Sequence, residues 1–186
     1  MDLFEAIGQR RSIKRFSDRE VGRDELARLI GAAIMAPNHR MTQPWRFVLL
    51  GPRARVAYAR RRGELKARAA AADTVRAAVE EKVIAATLGV PAVVAVLSSV
   101  DEDPHVCEED FAAVWMAIQN LALAATATGL GTHIRTGAVL EDWGVQKIVG
   151  AEPGERLCAL VYVGEPADTP DPKPRADAAS KTTWLD

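Results

Sequence analysis

The middle of the chain contains twenty consecutive residues without a charged side chain, from Phe111 to Leu130 (FAAVWMAIQNLALAATATGL). Such a length would suffice to cross a membrane as a helix. However, Gln119 and Asn120 lie at its centre, and alanine is barely hydrophobic enough to favour insertion. A helix that is apolar on all sides and does not span a membrane lies inside a folded protein. We therefore predict a buried central helix and no membrane segment.

The composition indicates a folded chain with few large side chains. Of its 186 residues, 48% are hydrophobic but only 5% are aromatic, and alanine supplies much of the apolar fraction. Small side chains bury little area each, so contact with a second subunit would add stability. The 24 basic and 25 acidic residues nearly cancel, which argues against a protein dedicated to nucleic acid. The length fits one domain spanning residues 1–186.

Helical and strand patterns alternate irregularly along the rest of the chain. This irregular order favours an α+β fold over a doubly wound sheet. Apolar periodicity, glycines and prolines place helices over residues 2–9, 23–35, 53–88 with a possible break at Asp73-Thr74, 105–128 and 141–149, and strands over residues 45–50, 91–97, 132–136 and 156–164.

The cellular compartment is inferred from the cysteines and from the first residues. Cys107 and Cys158 are too few for a disulfide framework and have no metal-ligand spacing. The stretch Met1-Asp2-Leu3-Phe4-Glu5 has acids where a secretion signal would have basic and then apolar residues. We therefore expect a reducing cytoplasm.

Three polar segments could carry chemistry, while common nucleotide, phosphoryl-transfer and zinc motifs are absent. The first segment, residues 10–16 (RRSIKRF), has four cations within six residues and a hydroxyl, which can bind a phosphate. The second, residues 36–45 (APNHRMTQPW), holds polar groups between two prolines, which suits a flat polar heterocycle. The third, residues 129–137 (GLGTHIRTG), has glycines that permit close backbone approach. Each segment also has a purely structural alternative. The first could be a solvated basic turn, the second the start of a strand, and the third the end of a helix.

Together and in this order, the three segments, the charge-free helix and a proline-rich tail resemble the nitroreductase family. The resemblance covers nearly the whole chain and is strongest to the small, single-domain NAD(P)H nitroreductases of bacteria. It implies an α+β fold with a central, mainly antiparallel sheet wrapped by helices. It also implies a homodimer with the long helix at its interface, and a tail over residues 165–186 that wraps the partner subunit.

The resemblance further implies an enzyme that binds FMN at the subunit interface and uses NADH or NADPH as electron donor. By a ping-pong mechanism it would reduce small acceptors such as nitroaromatics or quinones, and no catalytic side chain is required. Other flavin chemistry on the same scaffold is an alternative, namely peptide or azoline dehydrogenation or flavin cleavage. A distant alternative is a non-catalytic adaptor that binds nucleic acid through the basic stretch at residues 60–68.

The family's cofactor residues are assigned to this chain by position. Arg10, Arg11 and Ser12 would contact the phosphate and ribityl groups, and His39 would approach the flavin of the partner subunit. Ile134, Arg135 and Thr136 follow the glycine turn and would complete the cofactor-binding site. Arg135 would be a second cation at the phosphate.

Departures from the family pattern affect three further positions. Many members have asparagine where Met41 stands, which leaves the polar edge of the flavin ring to Gln43 or to backbone groups. Lys14 replaces an arginine of many members and lacks its planar fork. Whether Lys14 or Lys181 contacts the phosphate stays open, and residues 124–129 are a weaker candidate for the nicotinamide approach.

Overall fold

A computed structural model describes residues 1–185 as an α+β fold built on one four-stranded antiparallel sheet with the strand order β1-β2-β4-β3. This architecture confirms the predicted fold class. The strands are β1 (Trp45–Leu49), β2 (Ala92–Ser99), β3 (Gly131–Arg135) and β4 (Glu155–Gly164), and the helices are α1 (Leu3–Gln9), α2 (Arg23–Ala33), α3 (Pro52–Ala67), α4 (Asp73–Leu88), α5 (Pro104–Ala127) and α6 (Trp143–Ile148).

The sheet separates two hydrophobic cores. Strands β2 and β4 form its centre, pairing Val94 with Val161 and Ala95 with Leu160. Because side chains alternate between the two faces of a strand, one face presents residues such as Val94 and Val161 to α2 and α5. The opposite face presents Ala95 and Leu160 to Tyr58 of α3 and to α6. Both central strands are therefore continuous apolar runs, as the sequence predicted.

Helix α5 is buried on one side only. Residues such as Val114, Ile118 and Leu121 are buried against the sheet. Along the other side, Ala112, Met116 and Gln119 are exposed in the single chain, with Met116 41% exposed. The predicted buried central helix is thus covered on one side only in the single chain, where the sheet and α2 pack against it. None of the helices within residues 1–185 is long and apolar enough to span a membrane.

The helical region over residues 53–88 is a hairpin of two helices, α3 and α4. Its break lies between Ala67 and Asp73, and Asp73 begins α4 rather than interrupting a helix. The guanidinium of Arg55 donates to the carbonyl oxygens of Leu88, Val90 and Pro91, and so satisfies carbonyls at the end of α4 and just after it. This hairpin covers part of the sheet face that carries Tyr58.

Ser12 and Ile13 lie against the free edge of β3, and Phe16 lies against Pro166 at the start of the tail. Ser12 forms a parallel bridge with Thr132, and the Ile13 amide donates to the Thr132 carbonyl at 2.9 Å. This close contact between Ile13 and β3 requires a glycine at position 131, because a Cβ on Gly131 would lie 2.4 Å from Cγ1 of Ile13. A glycine is also required at the end of β4, where a Cβ on Gly164 would lie 2.8 Å from Phe16 Cδ1.

We expect Gly131→Ala to destabilise the protein by about 1–3 kcal/mol, since the added methyl must displace Ile13 from a packed position. Chemical denaturation measures this loss. Gly31→Ala is the matched control, because Gly31 is in helix α2 with nothing within 4 Å of the new methyl, and should be neutral or slightly stabilising. Equal stability of Gly131→Ala and the wild type would show that Ile13 does not hold the segment in place.

Candidate functional site

The largest cluster of predicted site residues lines one cavity. The cavity has a volume of about 790 Å³ and lies between the end of α1, residues 10–15 and the start of the C-terminal tail. It brings together the following cations and polar groups: Arg10, Arg11, Ser12, Lys14, Arg15, Asp168, Asp171, Lys173 and Arg175. Six cations against two carboxylates make this cavity a site for an anion.

The tail reaches the cavity because its first residues pair with the basic segment of the same chain. The Ser17 amide donates to the Glu165 carbonyl at 2.9 Å, and the Ala167 amide donates to the Arg15 carbonyl at 3.1 Å. Arg15 also holds Asp168 through two hydrogen bonds, of 2.7 and 3.2 Å, and hydrogen bonding to Arg15 lowers the pKa of that carboxyl. The chain thereby turns back and carries residues 170–175 along the cavity wall.

Lys173 and Arg175 are functional candidates that the sequence reasoning missed. Both line the cavity together with Arg10, although more than 160 residues separate them in the chain. The available signal was the run Pro172-Lys173-Pro174-Arg175, in which prolines restrict the backbone on either side of each cation. Lys181, in contrast, is not among the residues that line this cavity. The stretch 167–185 is exposed in the single chain, and its contact with a partner stays a prediction.

Arg10 and Arg11 differ in what their side chains can still bind. The Nη1 of Arg11 donates to the Gly8 carbonyl at 2.6 Å and to the Arg10 carbonyl at 2.9 Å, which caps the end of α1. Among residues 1–185, no hydrogen bond or ion pair engages the guanidinium of Arg10 or the cations of Lys173 and Arg175. These three cations are therefore available to an anionic ligand, while Arg11 shapes the wall.

A second, smaller cavity of about 440 Å³ adjoins the first, and Arg11 lines both. Thr126 and Gly129, at the end of α5, contribute to its wall together with Ile13 and Gly131. These two residues belong to the stretch 124–129, which the resemblance suggests as the lining along which the nicotinamide of NADH or NADPH would approach. That assignment stays a prediction.

Ile134, Arg135 and Thr136, the three residues predicted at and just after the end of β3, have different surroundings. Ile134 packs into the core shared with α5. Arg135 faces the other side of the sheet, where its guanidinium carbon lies 5.3 Å from the centre of the Tyr162 ring. Thr136 is exposed just beyond the strand and precedes Gly137, whose φ of 89° turns the backbone. Arg135 does not line the cavity of Arg10, so its role as a second phosphate cation stays a prediction.

His39 and Gln43 lie in a loop that helix α5 holds. His39 Nδ1 is 2.7 Å from a carboxylate oxygen of Glu109, and Thr42 Oγ1 donates to Asp110 at 2.6 Å. Arg40, Met41 and Gln43 all have a positive φ, between 46° and 54°, which is uncommon for residues other than glycine. The two contacts with α5 hold this loop in a conformation that its backbone alone would not favour.

Within one chain, the His39 loop and the cavity of Arg10 lie far apart. The loop precedes β1 at one edge of the sheet, whereas residues 12–16 lie against β3 at the other edge. Along α5, the 18 residues between Glu109 and Ala127 correspond to about 27 Å at the helical rise. The structure thus joins Arg10, Arg11 and Ser12 with the β3 region, and separates them from His39 and Gln43.

Two of the five cations in the basic stretch at residues 60–68 are engaged in contacts inside the chain. Arg61 forms ion pairs with Asp142 at 2.7 Å and with Glu64 at 2.8 Å, and these hydrogen bonds raise its pKa. Arg62 donates to the Thr87 hydroxyl at 2.5 Å. No aromatic side chain interleaves with these cations. The stretch therefore lacks the stacking side chains on which proteins that bind single-stranded nucleic acids place successive bases.

The fold and the cavity define a small α+β protein with a site for an anionic ligand at one edge of its sheet. Comparison with known proteins identifies its family. The model of the nitroreductase family matches residues 7–165, and the chain therefore belongs to the nitroreductase family, a family of oxidoreductases. This confirms the resemblance seen in the three polar segments.

The chain is similar to several members along its whole length. It is 31% identical over 186 residues to YfhC of Bacillus subtilis (strain 168), provisionally named an NAD(P)H nitroreductase, with 98% of this chain and 94% of that protein covered. A nitroreductase-like family protein from Bacillus cereus superposes with a TM-score of 0.86 at 25% identity, over 100% and 96% of the two chains. A nitroreductase of Bacteroides fragilis NCTC 9343, solved with bound FMN, shares the fold with a TM-score of 0.76 at 18% identity, over 100% of both chains.

We expect the free energy of unfolding to fall between about pH 7.5 and pH 5.5 more steeply in the wild type than in His133→Gln. Burial, aided by the charges of Arg135, Lys14 and Arg62, lowers the pKa of His133. The unfolded chain therefore takes up this proton first, so stability is lost as the pH falls from about 6.5 toward the folded pKa. Urea denaturation across this range measures the difference.

The matched control is His105→Gln, because His105 is exposed at the start of α5. It should keep the pH dependence of the wild type. If His133→Gln also keeps that slope, His133 is not held in its neutral form by the fold.

Proposed function

We propose that the chain is an FMN-dependent oxidoreductase that takes electrons from NADH or NADPH and passes them to a small acceptor such as a nitroaromatic or a quinone. A ping-pong mechanism and a cytoplasmic location belong to the same proposal. Membership of the family supports it, as does the solved relative from Bacteroides fragilis that holds FMN. The observation in this chain that carries it is the meeting of Arg10, Lys173 and Arg175 in one cavity.

The cavity residues fit the phosphate end of FMN. Two guanidinium groups and an ammonium group, all without a partner within residues 1–185, match the charge of a phosphate monoester. Ser12 adds a hydroxyl beside these cations and would bind the ribityl chain. Without a bound anion, these like charges repel one another, so the cavity is better suited to its liganded state.

Bound FMN supplies the electron-transfer chemistry, and the protein contributes binding, orientation and electrostatics. Ile134, Arg135 and Thr136 would provide the edge of β3 beside the flavin ring. Lys14 projects from the same segment as Ser12 and would place a cation near that ring, where negative charge develops on reduction. No described side chain is needed as a general acid or base for this role.

A homodimer would complete the site. His39 and Gln43 lie far from the cavity of their own chain, so they can serve a cofactor only in a second copy. Helix α1 also exposes large apolar side chains, with Leu3 62%, Phe4 84% and Ile7 51% exposed. Burying this surface and the exposed side of α5 between two copies would be favourable. The tail after Arg175 would then lie along the partner subunit.

Purified protein should be yellow, and both Arg10→Ala and Arg175→Ala should weaken FMN binding by about 1.5–3 kcal/mol each, the scale of a charge-assisted contact. Equilibrium titration of the apoprotein with FMN measures the affinity. Arg53→Ala is the control, because Arg53 is an exposed cation at the start of α3, outside the cavity. Unchanged affinity in both cavity variants would move the phosphate site elsewhere, and colourless protein that does not take up FMN would refute the proposal.

Subunit mixing tests whether each site uses two copies. One variant carries Arg10→Ala with Arg175→Ala, and a second carries His39→Ala with Gln43→Ala. A mixed dimer of the two would contain one site with no substitution, so we expect it to bind about half the FMN of the wild type. Differently tagged subunits allow the mixed dimer to be purified and its flavin content measured.

A matched mixed dimer pairs the wild type with a chain that carries all four substitutions. If the site is shared, both of its sites are damaged, and little FMN should bind. The opposite result, with binding in this dimer and none in the first, would place the whole site within one chain. A protein that is monomeric and replete with FMN in sedimentation would also contradict the shared site.

A further inference from the structure

Two neighbouring acids of helix α5 hold the loop that contains His39. A carboxylate oxygen of Glu109 lies 2.7 Å from His39 Nδ1, and Asp110 accepts a hydrogen bond of 2.6 Å from Thr42 Oγ1. Asp110 is buried, and Thr42 is the one side chain within residues 1–185 that hydrogen-bonds to it. Because a buried carboxylate is unfavourable unless it is hydrogen-bonded, the fold ties Asp110 to this loop.

The helix that carries the two acids does not account for them. Acids stabilise a helix when they lie in its first turn, beside the positive end of its dipole. Helix α5 begins at Pro104 and has no acid in its first turn, so Glu109 and Asp110 lie beyond it. The start of the helix is capped by Asp103 instead. The loop that they contact is therefore the better explanation of both acids.

This loop has an unfavourable backbone. Arg40, Met41 and Gln43 have φ values between 46° and 54°, which are uncommon for residues other than glycine. Such values persist only where surrounding contacts enforce them, and they are concentrated where proteins hold ligands. Residues 39–43 are all exposed in the single chain, so this conformation does not serve the packing of their own chain.

The contact with Glu109 determines which imidazole nitrogen of His39 can accept a hydrogen bond. An ionised carboxylate only accepts, so the nitrogen that it contacts, Nδ1, carries the hydrogen. In the neutral imidazole, Nε2 then has a free lone pair. Within residues 1–185, no hydrogen bond engages Nε2. An acceptor of this kind suits a hydroxyl or N–H group of a ligand, and it does not suit a phosphate.

We propose that Glu109 and Asp110 are positioning residues for the cofactor site of the partner subunit. The proposal rests on the proposed function, in which His39 serves the FMN of a second copy, and it adds the residues that prepare His39 for this role. Asp110 fixes the loop through Thr42, and Glu109 fixes the imidazole so that Nε2 is presented as an acceptor. Groups held in their binding geometry before the ligand arrives lose less entropy on binding. Both acids would thereby raise the affinity for FMN without touching it.

NMR of the imidazole nitrogens tests the contact with Glu109 in the full-length protein and needs no turnover. At about pH 8.5, above the ordinary pKa of histidine, we expect His39 to carry its hydrogen on Nδ1 in the wild type. Glu109→Ala should remove this preference and shift both nitrogen signals of His39. Glu108→Ala is the matched control and should leave them unchanged, because Glu108 is an exposed acid of the same helix with no hydrogen bond or ion pair within residues 1–185. A wild type with the hydrogen on Nε2 would overturn the proposal.

FMN affinity tests whether Glu109 acts through His39. Glu109→Ala should weaken FMN binding roughly tenfold, and Glu109→Gln, whose amide oxygen can still accept from Nδ1–H, should keep most of the affinity. In the His39→Ala background, Glu109→Ala should have no further effect, because the group on which it acts is gone. An equal loss in both backgrounds would mean that Glu109 acts on the fold, and it would contradict the proposal.

Thr42 tests the second contact without altering the buried acid. Thr42→Val replaces the hydroxyl with a methyl group and should weaken FMN binding roughly tenfold, whereas Thr42→Ser keeps the hydroxyl and most of the affinity. Amide hydrogen exchange over residues 39–43 should also become faster in Thr42→Val, because the loop has lost a contact that holds it. Unchanged affinity and unchanged exchange in Thr42→Val would contradict the role of Asp110.

Mixed dimers show in which subunit Glu109 acts. A chain with Glu109→Ala, paired with a chain that carries Arg10→Ala and Arg175→Ala, leaves one site without a substitution, so half of the sites should bind FMN as tightly as the wild type. When all three substitutions are in one chain and none in the other, no site should bind FMN with the affinity of the wild type. The reverse pair of results would mean that Glu109 serves the site of its own chain, and it would contradict the proposal.

The outcomes separate this proposal from the proposed function. If the protein takes up no FMN, or holds FMN that NADH and NADPH leave oxidised, the proposed function fails. If the protein binds FMN that NADH or NADPH reduces, but Glu109→Ala binds FMN as tightly as the wild type, only the positioning role fails.

Discussion

The pairing of residues 12–16 with β3 and with the start of the tail is the contact on which the rest of the site depends. It is made by few hydrogen bonds, such as Ile13 to Thr132 and Ser17 to Glu165. Two glycines permit it, because Gly131 and Gly164 leave room for Ile13 and Phe16. A strand edge that would otherwise be free is thereby covered. The same contact aligns three separate parts of the chain around one cavity.

This arrangement also explains why one subunit holds only part of the predicted site. The sheet places the basic segment at its β3 edge and the His39 loop at its β1 edge, and α5 runs between them on one face. One chain can therefore not bring both groups to one ligand. The exposed side of α5, with Met116 and Gln119, and the exposed apolar residues of α1 are surfaces that a second copy would cover. One side of the charge-free sequence from Phe111 to Leu130 contacts the core, and the proposed homodimer would account for the lack of charge on the other side.

Much of the fold could be predicted from the sequence, and the failures have physical causes. The two central strands were predictable because they are apolar runs next to glycine or proline, as in residues 91–97. The approach of Lys173 and Arg175 to Arg10 was not predictable, because it follows from a reversal of the tail fixed by contacts such as Arg15 with Asp168. The carbonyl contacts of Arg11 were likewise hidden, since its sequence neighbours suggest only a phosphate cation.

The distribution of charge around β3 has a consequence for how such a site selects its ligands. A net charge of -1 conceals the six cations that line one cavity. Acids pair with some arginines, as Asp168 does with Arg15 and Asp142 with Arg61, whereas Arg10, Lys173 and Arg175 have no such partner within residues 1–185. An anion is attracted most strongly where cations converge without a partner. The cavity of Arg10 is such a place, and it would select a ligand by the position of its negative charge.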